Sequence, residues 1–386
     1  MYRILDDVRV LDLSRYISGP SCCRILADMG AEVIKVEKAG HGDEGRFCGP
    51  MANGSSLYFP AYNRNKKSIT VDFRSENGKE LLRRLIAKSD VVVENFKTGT
   101  MAAMGLGYEE MKKINPRIIL VSITGFGQVG PDSKRPAYDE IVSCRSHLFA
   151  ATGNGHDGKY CIGPNLMSDT VAGMNAATCV LLALYDRNKT GVGQWIDYCM
   201  LTSSAGAQPL AMADYAMNGE HDAYFIDAPN GVFETKDGFF QFTVGPQPMF
   251  MRFREVIDDP IVKDEKYFDV KKRIEDYELL CKCINNWTKK FTSDELDKVL
   301  ADNAVAGGRV CTWQDVLTDR QLLYRDDIMH LPVENCGTVP YVKYPAKFSG
   351  HEYIEDTPAP ALGADNGSVL SSLLGMTAEE IEKYTK

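Results

Sequence analysis

Arg117-Ile118-Ile119-Leu120-Val121-Ser122-Ile123-Thr124 runs directly into Gly125-Phe126-Gly127-Gln128-Val129-Gly130-Pro131. The first eight residues are rich enough in aliphatic and β-branched side chains to form a buried strand, and the glycines after them spell GxGxxG. A dinucleotide fold needs a helix to open at those glycines, so that its first amides face a pyrophosphate. Here Pro131 follows at once, then Asp132-Ser133-Lys134-Arg135-Pro136, which does not start a regular helix in register. The glycines therefore form a tight, backbone-exposing loop of another kind.

Around this strand the first half of the chain alternates strand and helix. Strands are expected at 8–13, 31–37, 68–73 and 90–95, and helices at 20–29, 77–88 and 108–114, with Gly30 closing the first helix. Such alternation with Val/Ile-rich strands implies an α/β fold, Rossmann-like, with a mostly parallel sheet covered on both faces. A long helix is expected from about 170 to 188, its inward stripe being Val171, Met174, Thr178, Leu181, Leu182 and Tyr185, followed by a strand at 194–199. After Asn218-Gly219 the pattern changes to a strand at 238–244 and charged helical segments through about Lys298. The expected organisation is a large domain over 1–200, completed by about 330–386, and a smaller α/β domain at 225–325. Linkers fall near 200–225 and 325–360, and a last helix near 377–384 returns to the large domain.

The 386 residues are 44% hydrophobic and 25% charged, an ordinary globular composition. A net charge of −9 argues against nucleic acid as a partner, yet permits a local basic pocket. Met1 to Asp7 has no charged-then-apolar leader, and no uninterrupted apolar run reaches transmembrane length, so no membrane association is expected. The eleven cysteines are scattered without a C-x-x-C pair, which suits a reducing cytoplasm. The six histidines lack metal-ligand spacing, and no G-x-S-x-G elbow occurs.

Several motifs fail on inspection. Gly153-Asn154-Gly155-His156-Asp157-Gly158-Lys159 has P-loop spacing, but Tyr160 replaces the magnesium-binding hydroxyl and Asp157 would repel phosphate. Glu37 suits a ribose-binding acid, but the first βα turn, Ser14-Arg15-Tyr16-Ile17-Ser18-Gly19-Pro20, lacks the glycines that a dinucleotide requires. Asp169 remains, in Ser168-Asp169-Thr170-Val171-Ala172-Gly173. On spacing alone, Ser168 or Asp169 is a helix N-cap. Small residues Ala172, Gly173, Ala176 and Ala177 would also let a ligand approach this helix start, where amides favour an anion.

Five further segments carry a resemblance: residues 26–37 (LADMGAEVIKVE), 63–69 (NRNKKSI), 93–96 (VENF), 124–131 (TGFGQVGP) and 190–194 (TGVGQ). Together and in this order the chain resembles the family III CoA-transferases, which include formyl-CoA:oxalate and carnitine CoA-transferases and the α-methylacyl-CoA racemases. The resemblance spans nearly the whole chain. It implies a CoA-transferase that moves CoA from an acyl-CoA thioester to an organic carboxylic acid, with Asp169 as the nucleophile. Acyl-CoA is then a substrate; no metal and no tightly bound cofactor are implied. By the same resemblance the CoA site uses Tyr16, Ile17, Lys38, Val71, Arg74, Asn95, Phe96 and Met104, and the chain forms an interlocked homodimer. Lys38 and Arg74 suit phosphates, whereas Phe96 and Met104 suit adenine or pantetheine. Relatives often carry Arg where Ala103 stands, and the oxalate enzyme has a glutamine near the reacting carboxylate where Ile17 stands. The substrate wall is expected to include Tyr138, Asp139, Phe149 and Met167, which favours an acid of some apolar character over oxalate.

Two rivals remain. Racemases of this fold carry His-Asp where Tyr138-Asp139 stands, and tyrosine, ordinarily titrating near 10, is a poorer base at neutral pH than histidine near 6.5. His147 or His156 would have to substitute. A CoA-binding protein without catalysis is the alternative from another class. It predicts that Asp169→Ala leaves CoA affinity unchanged.

Overall fold

The computed structural model describes residues 1–149, 166–219 and 228–385. The P-loop-like run 153–159, with His156, lies outside them.

Six strands form one parallel sheet: β1 (Arg9–Asp12), β2 (Glu32–Lys38), β3 (Lys66–Val71), β4 (Val91–Glu94), β5 (Ile119–Thr124) and β6 (Trp195–Cys199). Their order across the sheet is β3-β2-β1-β4-β5-β6. The helices α1 (Ser18–Asp28), α2 (Glu76–Ile86), α3 (Tyr108–Ile114), α4 (Asp139–Arg145) and α5 (Met167–Thr190) belong to the same unit. Because strand side chains alternate between faces, Val10, Val91, Val93 and Val121 build one core with α1 and α5, while Leu11, Val92 and Leu120 build a second with α2 and α3. No helix opens at Gly125–Pro131, where Gly127 and Gly130 take φ of +80° and +99° in a loop.

The long helix corrects one expectation. α5 begins at Met167, and the stripe expected to face inward lies outward, with Met174 57%, Leu182 63% and Tyr185 63% exposed. Its buried face is the small one: Ala172, Gly173, Ala176, Ala177, Val180 and Ala183. The reason is close packing on α1. A Cβ on Gly173 would stand 2.5 Å from the Ser21 Cβ and 3.0 Å from the Ser18 carbonyl oxygen, so only glycine admits this approach. By length and mean hydropathy (1.3 over 18 residues) α5 matches a membrane span, although 44% of that window is buried within the protein.

The chain divides into two compact units, 1–213 with 324–386, and 214–323. In the second unit, strands Asn230–Glu234, Phe239–Thr243 and Gly307–Arg309 form an antiparallel sheet over a core of Phe233, Phe240, Phe242, Phe253 and Trp287. The C-terminal segment packs on the first unit. Asp365 and Asn366 accept the β3 amides of Ser68 and Thr70 at 2.8 Å each, and Val369 and Leu370 enter the second core.

Candidate active site

The strand order reverses at the neighbours β1 and β4, and their following turns open a crevice at the carboxyl ends of the strands. Asn95, just past β4, ties the two turns together. Its Oδ1 accepts the Arg15 amide at 2.8 Å, and its Nδ2 donates to the Arg15 carbonyl at 2.8 Å and to the Ser18 hydroxyl at 3.2 Å. Tyr16 is forced into the left-handed region at φ 61°, uncommon for a residue with a Cβ, and its ring meets Tyr138 edge-on at 6.4 Å.

A buried ionic network anchors this turn from below. Lys66 donates to Asp12 at 2.8 Å, and Lys35 pairs with Asp43 and donates to the Ser14 carbonyl, at 2.8 Å each. Burial alone would raise the Asp12 carboxyl; the charges of Lys35 and Lys66 outweigh it and lower it to about 2. Glu37 is similarly consumed, bound by Arg46, Ser68 and the Asp43 amide, so it is not free for a ribose.

A cavity of 310 Å³ opens over these turns, walled by Tyr16, Asn95, Phe96, Tyr138 and Asp169 among others. Arg15, Lys97 and Arg135 also line it, while Asp169 is its one acidic wall residue among those described. That balance favours anionic ligands. The Thr124 hydroxyl, in the same wall, is buried with no hydrogen-bond partner.

Asp169 is not the N-cap. Leu166 takes that position in a left-handed conformation (φ 40°), which places Asp169 third in α5. Its carboxylate lies close to the hydroxyl and amide of Ser18, the first residue of α1, which act to lower it. The starts of α1 and α5 therefore meet at Asp169. Even so, the group is raised to about 7, first by burial and next by the charge of Asp139, which together outweigh Ser18. Tyr58 and Tyr62 stand close enough that the Asp169 charge, added to burial, raises both phenols.

Five of the residues singled out in the sequence are thus brought together: Tyr16, Asn95, Phe96, Tyr138 and Asp169. The others do not line this cavity. Ile17 is 1% exposed in the interior. Lys38 and Val71 end β2 and β3 as register partners, with Arg74 exposed beyond them. Met104 is half-buried against the second core. Asp139 is 4% exposed and lies behind Asp169, whose amide it accepts at 2.9 Å. Met167 is 43% exposed, Phe149 is half-buried, and His147 is exposed. Sequence reading missed Ser18, Thr124, Tyr58 and Tyr62. Only the Tyr58-to-Tyr62 spacing of one helical turn hinted that two phenols share a face.

The model of CoA-transferase family III matches residues 5–366. The chain belongs to the family III CoA-transferases. This CoA-transferase is 32% identical to a succinyl-CoA–D-citramalate CoA-transferase of Chloroflexus aurantiacus, over 98% of this chain and 96% of the relative. It is 33% identical to a succinate–glutarate CoA-transferase of Agrobacterium fabrum, over 96% and 95%. Among solved structures, a CAIB/BAIF family protein from Brucella suis superposes with a TM-score of 0.85 at 32% identity, covering 97% of this chain and all of that one. The CoA-transferase thus takes acyl-CoA and a carboxylic acid as substrates, and the switch-point cavity is where its chemistry is to be sought.

Proposed function

We propose that this CoA-transferase moves CoA from an acyl-CoA to an acceptor carboxylic acid through covalent intermediates on Asp169. The Asp169 carboxylate attacks the thioester carbonyl, forming a mixed anhydride and releasing CoA thiolate. The thiolate then attacks the aspartyl carbonyl, giving an aspartyl-CoA thioester and freeing the donor acid. The acceptor carboxylate attacks that thioester, and the thiolate released again attacks the acceptor's acyl carbon, which restores Asp169. Thioester energy is retained throughout, provided water is kept from the anhydride.

The observation that carries this reading is one carboxyl, in a cationic cavity at the sheet's switch point, beside the start of α1 yet lifted to about 7. The acceptor class follows from the same wall. Arg15, Lys97 and Arg135 suit a second carboxylate, and relatives are named for citramalate and glutarate, so a dicarboxylic acid is the favoured substrate. Tyr138 and Phe126 supply the apolar part of the wall. Lys38 and Arg74, at the carboxyl edge of the sheet, are assigned to CoA phosphates. We assign a homodimer, supported by the apolar outer stripe of α5, and place it in the cytoplasm, which the scattered cysteines suit.

Acyl-CoA donors, succinyl-CoA first, incubated with mono- and dicarboxylates and read by mass spectrometry test the activity. Hydroxylamine should inactivate the enzyme only when acyl-CoA is present, leaving its mass change on Asp169. Full exchange by Asp169→Ala would refute the mechanism.

A further inference from the structure

A carboxylate fed by helix-start amides is ordinarily a strong acid, and hence a weak nucleophile. Asp169 sits at such a place twice, third in α5 and against Ser18 at the start of α1. Its task is demanding. A thiol ordinarily titrates near about 8.5, so a carboxylate of ordinary acidity would have to expel a far more basic thiolate from the thioester.

The neighbour that alters this balance is Asp139, the first residue of α4. Its Oδ2 accepts the Asp169 amide at 2.9 Å, and its Oδ1 accepts the Ser143 hydroxyl at 3.2 Å. Ser143 is in turn 2.8 Å from the Ser168 hydroxyl, which accepts from Ser204 at 2.9 Å. Among the described residues no cation forms an ion pair with Asp139. The other groups around Asp169 are Tyr16 on the first turn, Tyr58 and Tyr62 on the helix Tyr58–Asn63, Tyr138 and Glu140 flanking Asp139, and the cavity cations Arg15, Lys97 and Arg135. Of the two acids in that set, Glu140 is exposed and Asp139 is buried.

We propose that Asp139 is a positioning residue for the transfer: it occupies the Asp169 amide, turns the nucleophile's carboxylate toward Ser18, and keeps a fixed negative charge behind it that makes Asp169 a stronger nucleophile. This rests on Asp169 being the nucleophile. The arrangement uses one helix-start amide to bind Asp139 and leaves Ser18 of α1 beside the reacting oxygens. Burial keeps Asp139's charge from being screened by water.

Asp139→Asn retains an acceptor for the amide and a partner for Ser143, but removes the charge. Asp139→Ala removes all three, and Glu140→Gln serves as the exposed control. The ionisation of Asp169 is read by carbon NMR of carboxyl-labelled aspartate in the ligand-free enzyme, using Asp169→Asn to assign the resonance. In parallel, kcat and KM for the acyl-CoA donor are followed from pH 5 to 9. The expected result for Asp139→Asn is an Asp169 midpoint lower by about one pH unit or more. Its kcat at pH 8 should fall at least tenfold, with KM for the donor within about twofold. Glu140→Gln should move the midpoint by less than half as much, and Asp139→Ala should lose more kcat and also melt lower. A midpoint and kcat unchanged in Asp139→Asn would overturn the proposal, as would a lowered midpoint with full kcat. Failure of the nucleophile reading looks different: wild-type turnover with no adduct on Asp169, which would take this proposal with it.

Discussion

At Asp169 the burial that would serve the proposed reaction works against stability. An aspartate in the unfolded chain titrates near about 4, and in the folded protein near about 7. Between those values the native state holds a proton that the unfolded state has lost, so stability declines as pH rises through that window and stays reduced above it. Asp169→Asn should therefore raise the melting temperature at pH 8, with no gain below pH 4, in thermal scans across pH. In the proposed mechanism the reacting form is the carboxylate, so kcat/KM for the acyl-CoA should rise through a midpoint near pH 7, the value carried by Asp169 in the free enzyme. A flat profile from pH 5.5 to 8.5 would count against Asp169 as the attacking group. Thr124 offers a separate test at this scale. Its hydroxyl is buried and unpaired within a wall residue of the cavity, so Thr124→Val, nearly isosteric, should raise the melting temperature, since an unsatisfied buried hydroxyl costs about 1–3 kcal/mol, with kcat and KM for acyl-CoA retained.

The elements that deliver Asp169 to Ser18 are α1 and α5, and their contact depends on the absence of side-chain volume. Gly173 is a point of close approach. Gly173→Ala places a methyl against the Ser21 Cβ and the Ser18 carbonyl, so the helices must part. The expected cost is about 1–3 kcal/mol of stability, measured by urea unfolding, with activity lost beyond what the unfolded fraction explains. Most strands and helices were legible because a buried parallel strand is recognised by its Val/Ile run and a covering helix by its period. α5 was legible in its existence but not in its orientation. Its large apolar side chains outweigh Ala and Gly in any periodicity reading, whereas tight helix packing selects the small ones. Its start was misplaced for a related reason: Leu166 ends the preceding segment in a left-handed conformation, which no side-chain cap announces.

Across the whole molecule, the outward stripe of α5 is a large apolar surface on a chain with net charge −9. The homodimer assigned above would cover it, and Leu182→Glu should shift the protein to monomer in light scattering at micromolar concentration. A wild-type monomer at that concentration would remove the assignment. What the sequence determined by itself was the alternation that makes a parallel sheet, the family, and Asp169 as the residue to examine, since each rests on local order along the chain. Tertiary structure alone decided that the crevice lies between β1 and β4, that Ser18 and Asp139 both meet Asp169, and that Thr124 is left unpaired. Those facts join residues that are 30 to 150 positions apart in the chain, and their charges and hydrogen bonds take their strength from burial, which no local pattern encodes.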